Sequence, residues 1–176
     1  MGVHGMEMRR YDANCILGSW ADGGPTYRHA AELLAAMDAL GIGRALVRHS
    51  LGAGYDPAYA NALLRQEVVG ADRLTPCWTV IPPQMGDCVG GDIPREAMAV
   101  ALAHPNVYLD ICGSTLARAE LEAMVAEVGA ERILFGTDNP WLDPRFLIGK
   151  VAYARLSAEQ QRLILGENIA RLMGWD

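Results

Sequence analysis

Apolar residues along the chain alternate between short runs rich in β-branched and aromatic side chains and longer stretches with helical spacing. Compact apolar runs are typical of strands buried on both faces, and their alternation with helices is typical of βα units around a parallel sheet. The pattern predicts five strands, over residues 11–17, 45–48 with an extension to His49, 75–81, 107–112 and 133–135.

The stretches between these strands predict four helices, over residues 27–40, 57–67, 94–104 and 117–128. Thr26 is placed to cap the first helix, and Asp56 to cap the second, with Pro57 at its first position. Residues 82–91 are rich in Pro, Gly and Asp and predict a loop.

The C-terminal region is predicted to be a helical tail. Asp143 and Pro144 open one segment, Ser157 and Gln160 match a capping box, and residues 167–173 form the last piece. We therefore expect one α/β domain over residues 1–176, with about five βα units followed by this tail.

Composition agrees with one folded domain, since 51% of the residues are hydrophobic and 20% are charged. A net charge of −6 with only 15 Lys and Arg argues against a duplex nucleic-acid binder, which needs a basic face. The 176 residues fall short of the roughly 200 that a closed (β/α)8 barrel needs.

The location of the protein is predicted from what the sequence lacks. The first ten residues have no apolar core of the kind a signal peptide needs, and no run approaches the roughly 18 apolar residues of a membrane span. The four cysteines show neither zinc-finger nor disulfide-framework spacing. These features predict a cytoplasmic protein with reduced thiols and no membrane partner.

Candidate chemistry lies at the carboxyl ends of the strands, where parallel α/β proteins place their sites. Asp138 follows the fifth strand after Gly136, and its carboxylate could bind a divalent metal or act as a general base. Capping or hydrogen bonding of the turn before Pro140 is an equally good interpretation.

Two further carboxylates and an amide lie on predicted strands. Asp12 and Asn14, two residues apart, are expected on one face as oxygen ligands for a hard cation. A structural Asp and a satisfied interior amide are favoured by the spacing alone. Asp110 lies inside the fourth strand and either pairs with a cation such as Arg132 or faces the strand-end site, because an unpaired buried carboxylate is costly.

Other positions give weaker signals. His49 ends the second strand and is a candidate substrate donor or base, although a structural histidine is the more common case there. Residues 50–54 follow that strand as a phosphate-cradling loop would, but lack the glycine and lysine of the known phosphate motifs. Trp141 is expected to pack in the core or form a site wall.

Several segments together resemble the amidohydrolase-related family, which comprises metal-dependent TIM-barrel hydrolases and decarboxylases. The run RILFGTDNPW, residues 132–141, resembles that family's eighth strand. HPNVYLD at 104–110 resembles the seventh strand, LGENIARL at 165–172 the closing helix, and YDAN at 11–14 the first strand.

The chain also departs from the family pattern. The first strand usually carries Asp-x-His-x-His, and here the two histidine positions are Asn14 and Ile16. Between the third predicted strand and the one resembling strand seven there is room for only one helix. The comparison implies an incomplete TIM-barrel-like parallel sheet that lacks the family's central strands.

The resemblance implies a metal-dependent hydrolase, or a related decarboxylase, that acts on a small carboxylated or cyclic substrate. The resemblance implies that Asp138 is the catalytic residue. With Asp12 and Asn14 it would form a site for a divalent metal such as Zn, Mn or Fe that lacks most of the family's ligands. We expect substrate contacts from three residues at the same edge, His49, Asp110 and Trp141.

The alternative is a catalytically reduced relative that acts as a binding or assembly protein. Five βα units cannot close a barrel, so the sheet keeps edges that need cover. Pairing of those edges predicts a homo-oligomer.

Overall fold

A computed structural model describes residues 9–20, 23–79, 94–113 and 119–175. Its strands are β1 (Arg10–Leu17), β2 (Ile42–His49), β3 (Leu74–Pro76), β4 (Leu109–Asp110) and β5 (Ile133–Leu134). Its helices are α1 (Ala30–Leu40), α2 (Leu51–Gly54), α3 (Pro57–Glu67), α4 (Pro94–Ala103), α5 (Glu120–Val128), α6 (Pro144–Tyr153), α7 (Ala158–Arg162) and α8 (Asn168–Met173). A 3-10 turn at Ala130–Arg132 precedes β5, and a π-helical turn at Leu163–Glu167 joins α7 to α8.

The strands form two parallel groups, β1-β2-β3 and β4-β5. The chain that follows β5 runs beside β1 and joins the groups: the N–H of Ala13 donates to the carbonyl of Phe135 at 2.8 Å, and the N–H of Ile16 donates to that of Asn139 at 2.8 Å. The spatial order is therefore β3-β2-β1-β5-β4, with all strands parallel.

This order places the first and last strands side by side, as in a closed barrel, while no strand within the described ranges pairs with the outer edges of β3 and β4. The architecture confirms the predicted α/β fold with an incomplete barrel-like parallel sheet and a helical tail.

Two apolar clusters hold the helices against the sheet. One lies between β1, β2 and the helices α1 and α3, where Leu17, Leu33 and Leu64 are fully buried. The other lies between β5 and the helices α4, α5 and α6, and includes Phe135 and Leu147. Burial of each such side chain stabilises the fold by about 1.5–3 kcal/mol.

Helix starts follow the predicted capping residues in three cases. The Asp56 carboxylate accepts from the N–H of Ala58 at 2.8 Å at the start of α3, and Asp143 caps α6. Ser157 and Gln160 form the complete capping box of α7. Each such cap is worth about 1 kcal/mol.

The first helix begins later than predicted, at Ala30, and Thr26 does not cap it. The Thr26 hydroxyl instead donates to the carbonyl of Gly18 at 2.5 Å, which fixes the connection that leaves β1. His29 is the N-cap residue, and its side chain makes no capping bond.

Several strand boundaries also differ from the prediction. β2 begins at Ile42, three residues early, while β3 ends at Pro76 and β4 and β5 contain two residues each. The short strands arise because the chain leaves regular pairing to contact other elements: the N–H of Phe135 donates to the carbonyl of Ile164 in the tail. The predicted loop over 82–91 lies outside the described residues.

Within the part of the chain that the structure describes, no helix has the length and apolar character needed to cross a membrane. Cys15, Cys77 and Cys112 are free thiols.

Candidate functional site

Polar side chains from three strands and from the segment after β5 come together towards the carboxyl edge of the sheet. Asn14 comes from β1, Arg48 from β2, Asp110 from β4, and Asp138 from the segment after β5. Because all strands are parallel, these positions converge although up to 124 residues of sequence separate them. We call these four residues the strand-end cluster.

Arg48 joins the two sides of this cluster. Its Nε donates to Oδ1 of Asn14 at 3.0 Å, and its Nη2 donates to Oδ1 of Asp138 at 3.2 Å. The Arg48 and Asp138 side chains are only 29% and 17% exposed, so solvent screens this ion pair less than a surface pair. The guanidinium therefore lies between the amide of Asn14 and the carboxylate of Asp138.

Asp110 occupies the other side of the Asn14 amide. Nδ2 of Asn14 donates to Oδ2 of Asp110 at 3.1 Å, and the N–H of Cys112 donates to Oδ1 at 2.7 Å. Burial raises the pKa of Asp110, while these donors act in the opposite direction. Gly136 makes room for the carboxylate, since a Cβ there would overlap it.

These contacts decide between the two alternatives for Asp110. Its carboxylate faces the strand-end cluster, while the guanidinium of Arg132 donates to backbone carbonyls of Ala101, at 2.6 Å, and of Val128. Arg132 therefore ties α4 and α5 together and is not the partner of Asp110.

The backbone aims the side chain of Asp138 into the cluster. Asp138 has a φ of 54°, in the left-handed region, and its N–H donates to the carbonyl of Asn14 at 2.9 Å. Its own carbonyl accepts from the N–H of Trp141 at 2.7 Å, so the turn is closed by the main chain. The Asn139–Pro140 peptide bond is cis. The carboxylate remains available for Arg48 and does not cap the turn.

Asp12 is fully buried and points towards the chain after β5. Its Oδ1 accepts from the backbone N–H groups of Asn14 and Thr137, and its Oδ2 accepts from the Thr137 hydroxyl at 2.5 Å. Burial is the largest influence and raises the pKa of Asp12 to about 7. These contacts support a role in joining β1 to the last strand.

His49 lies at the end of β2, where its ring packs against Gly18. Its Nδ1 accepts from the N–H of Leu51 at 3.3 Å, and burial lowers its pKa, which favours the neutral imidazole. Its hydrogen bond with Leu51 is made outside the strand-end cluster. Its role in binding a substrate stays a prediction.

Trp141 follows Asp138 closely and is 49% exposed. Its ring lies 5.5 Å from that of Trp20, with the two planes tilted by 57°. The pair presents an aromatic surface on the loop that carries Asp138. Contact between Trp141 and a substrate likewise stays a prediction.

Sequence reasoning did not identify Arg48 as a functional residue. The signal was available, because a guanidinium near the end of a predicted buried strand needs a partner as much as the buried carboxylate of Asp110 does. The partner was not predictable from spacing, since Asp138 lies 90 residues further along the chain.

The arrangement does not fit a divalent metal ion. Among the described residues, no three His, Cys, Asp or Glu side chains are placed to share an ion. Two oxygens of the expected set, Oδ1 of Asn14 and Oδ1 of Asp138, accept hydrogen bonds from Arg48, and both Asp12 oxygens are occupied. Zinc favours nitrogen and sulfur donors, and a guanidinium beside the oxygens repels a cation. The metal-ligand roles of these residues stay predictions without structural support.

Comparison with known proteins identifies the family. The sequence model of the family described as Amidohydrolase matches residues 85–175, slightly more than half of the chain. The chain belongs to the amidohydrolase family. No curated protein sequence matches it.

Solved amidohydrolase-family structures share the fold of this chain. An amidohydrolase from Burkholderia multivorans with bound zinc is 14% identical, with a TM-score of 0.64 over 93% of this chain and 98% of the other. A 2,6-dihydroxybenzoate decarboxylase bound to 2,6-dihydroxybenzoate is 13% identical, with a TM-score of 0.65 over 95% and 98%. A putative amidohydrolase from Staphylococcus aureus is 13% identical, with a TM-score of 0.63 over 96% and 100%. At these identities the likeness shows an amidohydrolase- and decarboxylase-like fold.

Proposed function

We propose that this amidohydrolase acts on a small carboxylated or cyclic substrate at the strand-end cluster, as a hydrolase or related decarboxylase. The supporting observation is the half-buried Arg48–Asp138 pair beside the partly buried Asp110, at the sheet edge where parallel α/β proteins bind ligands. The guanidinium supplies positive charge to an anionic substrate, and the carboxyls supply sites for proton transfer.

The environments of the two carboxyl groups suit different roles. Asp138 accepts a hydrogen bond from Arg48, which orients its carboxylate in the cluster, and we assign it the role of proton acceptor. Burial raises the pKa of Asp110, so this group keeps a proton to higher pH than an exposed carboxyl and suits a proton donor. In hydrolysis, Asp138 would take a proton from the attacking water while Asp110 protonates the leaving group. In decarboxylation, Asp110 would protonate the carbon that loses CO2.

The aromatic surface near Asp138 suits the cyclic part of such a substrate. Trp141 is half exposed and is held by Trp20, so a planar ring can stack on it without first ordering the side chain. His49, kept neutral by burial, is proposed to donate or accept one hydrogen bond at the rim.

Substitution of Asp138 tests this function directly. We expect Asp138→Asn to lower turnover by about 100-fold or more, because removal of a general acid–base group typically costs that factor. Release of CO2 from 2,6-dihydroxybenzoate and hydrolysis of a panel of lactones and esters are the measurements. Both assays are run once with chelator and once with each of Zn, Mn and Fe added.

Asp72→Asn is the matched control, since Asp72 is exposed in the turn before β3 and lies outside the strand-end cluster. Its turnover should equal that of the wild type. Equal loss in both variants, or full activity in Asp138→Asn, would contradict the assigned role.

A second candidate function is favoured by the poor fit of the described residues to a metal. The protein would then be a catalytically reduced amidohydrolase that binds a small carboxylated or cyclic molecule, or assembles with itself, without turnover. Binding of 2,6-dihydroxybenzoate with no product under any of the metal conditions would support it over the first candidate.

A further inference from the structure

Arg48 lies where the sequence predicts a metal ion. The candidate ligands Asn14 and Asp138 are bridged by the guanidinium, which donates to one oxygen of each. A divalent ion at the same place would have to displace Arg48 from both oxygens and remain beside its positive charge.

The Asn14 amide is oriented in a way that agrees with this arrangement. Its carbonyl oxygen accepts from Arg48, and its amino group donates to Asp110 and to the Cys112 sulfur, at 3.1 and 3.2 Å. The amide thus has an acceptor facing the cation and a donor facing the carboxylate. With the amino group turned this way, Asp110 and Cys112 both face a hydrogen-bond donor.

The hydrogen-bonding partners within the cluster are complete without a metal. The guanidinium is opposed by the Asp138 carboxylate, and Asn14 is neutral. Asp110 is satisfied by hydrogen bonds from Asn14 and Cys112. Arg48 therefore links two strands, β1 and β2, with the segment after β5.

We propose that the guanidinium of Arg48 takes the place of the divalent metal ion in this chain, holding Asn14 and Asp138 together and supplying the positive charge of the site. The proposal rests on the site of the proposed function but not on turnover. Negative charge on a bound molecule is stabilised by a fixed guanidinium, so metal availability does not govern the site.

Metal titration is the first test and needs no substrate. Chelator-treated full-length protein is titrated with Zn²⁺ and separately with Mn²⁺ by calorimetry, and its melting temperature is recorded with and without each ion. We expect no stoichiometric binding and no rise in melting temperature. One ion bound per chain in the wild type, with binding lost in Asp138→Asn, would overturn the proposal.

Substitution of Arg48 is the second test. Arg48→Met should lower the melting temperature of chelated protein, because it leaves the half-buried Asp138 carboxylate unpaired. Arg48→Lys keeps the charge but can donate in fewer directions, and should lie between that variant and the wild type. Arg44→Met is the matched control on the same strand, since the Arg44 guanidinium lies away from the cluster, 5.9 Å from the centre of the Trp175 ring.

The coupling between Arg48 and Asp138 distinguishes replacement of the metal from a general packing effect. If the guanidinium serves as the cation of Asp138, Asp138→Asn should restore part of the melting temperature lost in Arg48→Met. Strict additivity of the two losses would overturn the proposal. If Arg48→Met does not fold, the same comparison is made with Arg48→Lys.

The two proposals can fail separately. Absence of turnover for every substrate defeats the hydrolase or decarboxylase function, while the metal and melting-temperature results stand. Stoichiometric, Asp138-dependent metal binding defeats the replacement of the metal by Arg48, while catalysis remains open to the metal-loaded protein.

Discussion

Asp12 shows how one buried carboxyl joins distant parts of the chain. It lies on β1, and both of its oxygens accept hydrogen bonds from Thr137, 125 residues away. Desolvation favours the protonated form of a buried carboxyl, whereas hydrogen-bond donors favour the ionised form. Burial has the larger effect here, so the folded state holds a proton on Asp12 more tightly than the unfolded chain does.

The stability of the protein should therefore fall as pH rises through this range. The pKa of Asp12 is about 7 in the fold against 3.8 for an ordinary aspartate. Between these values the folded state binds more protons than the unfolded state, so the free energy of unfolding decreases with rising pH. At about 1.4 kcal/mol per pKa unit, Asp12 contributes a loss of up to roughly 4 kcal/mol by pH 7.

Urea unfolding at a series of pH values from 4 to 8 measures this effect. Asp12→Asn removes the titrating group and should flatten the decline, while Asp72→Asn, at an exposed position, should leave its slope unchanged. An unaltered slope in Asp12→Asn would show that other groups cause the pH dependence.

At the scale of elements, the C-terminal tail supports the last strand. Asn168, the first residue of α8, is fully buried, and its Nδ2 donates to the carbonyls of Ala130 and Ile133 at 2.7 and 2.8 Å. The π-helical turn before it also lies against β1, where a Cβ on Gly166 would meet the carbonyl of Arg9. The tail thus contacts both strands that meet at the centre of the sheet.

Loss of the Asn168 amide should destabilise the whole domain. Asn168→Ala removes the donor to the carbonyls of Ala130 and Ile133, although the Ala130 carbonyl still accepts from the N–H of Ile133. Since a buried group that loses its partner costs about 1–3 kcal/mol, we expect a loss of that size. Asn106→Ala, at an exposed turn, is the control and should change stability by less than about 0.5 kcal/mol. Denaturant midpoints of the two variants give the comparison, and similar values would contradict this role.

Helix starts were easier to predict from the sequence than the limits of strands, because helix capping is local. The capping residues Asp56, Asp143 and Ser157 act on N–H groups two or three residues away, so local sequence determines them. The limits of β4 and β5 depend on pairing between segments far apart in sequence. Local spacing does not specify that pairing.

The same difference applies to the strand-end cluster. Asn14, Asp110 and Asp138 were predictable as polar residues at strand ends, and the structure brings them together. The side chains of β1 do not alternate strictly between the two faces of the sheet, because the pairing register with β2 shifts between Asp12 and Cys15. Asp12 consequently binds Thr137 and does not join the cluster. The contacts of Arg48 were not predictable, because they require β2, β1 and the segment after β5 to be assembled.

At the scale of the whole molecule, the sheet formed by the described residues has two open edges. The outer sides of β3 and β4 pair with no strand among the described residues, and unpaired edges favour association with another chain. We propose a homo-oligomer and expect light scattering of the purified protein to give twice the mass of one chain or more. A stable monomer at micromolar concentration would contradict this.

The adjacency of β1 to the segment after β5 has a consequence for the order of folding. Its bonds join positions about 120 residues apart, including those between Ala13 and Phe135 and between Asp12 and Thr137. Until the ribosome has released both partners, the N-terminal strand has one side without hydrogen-bond partners, and the Asp12 carboxyl lacks Thr137. The strand-end cluster can therefore form only after Asp138 has left the ribosome, when more than three quarters of the chain has been made.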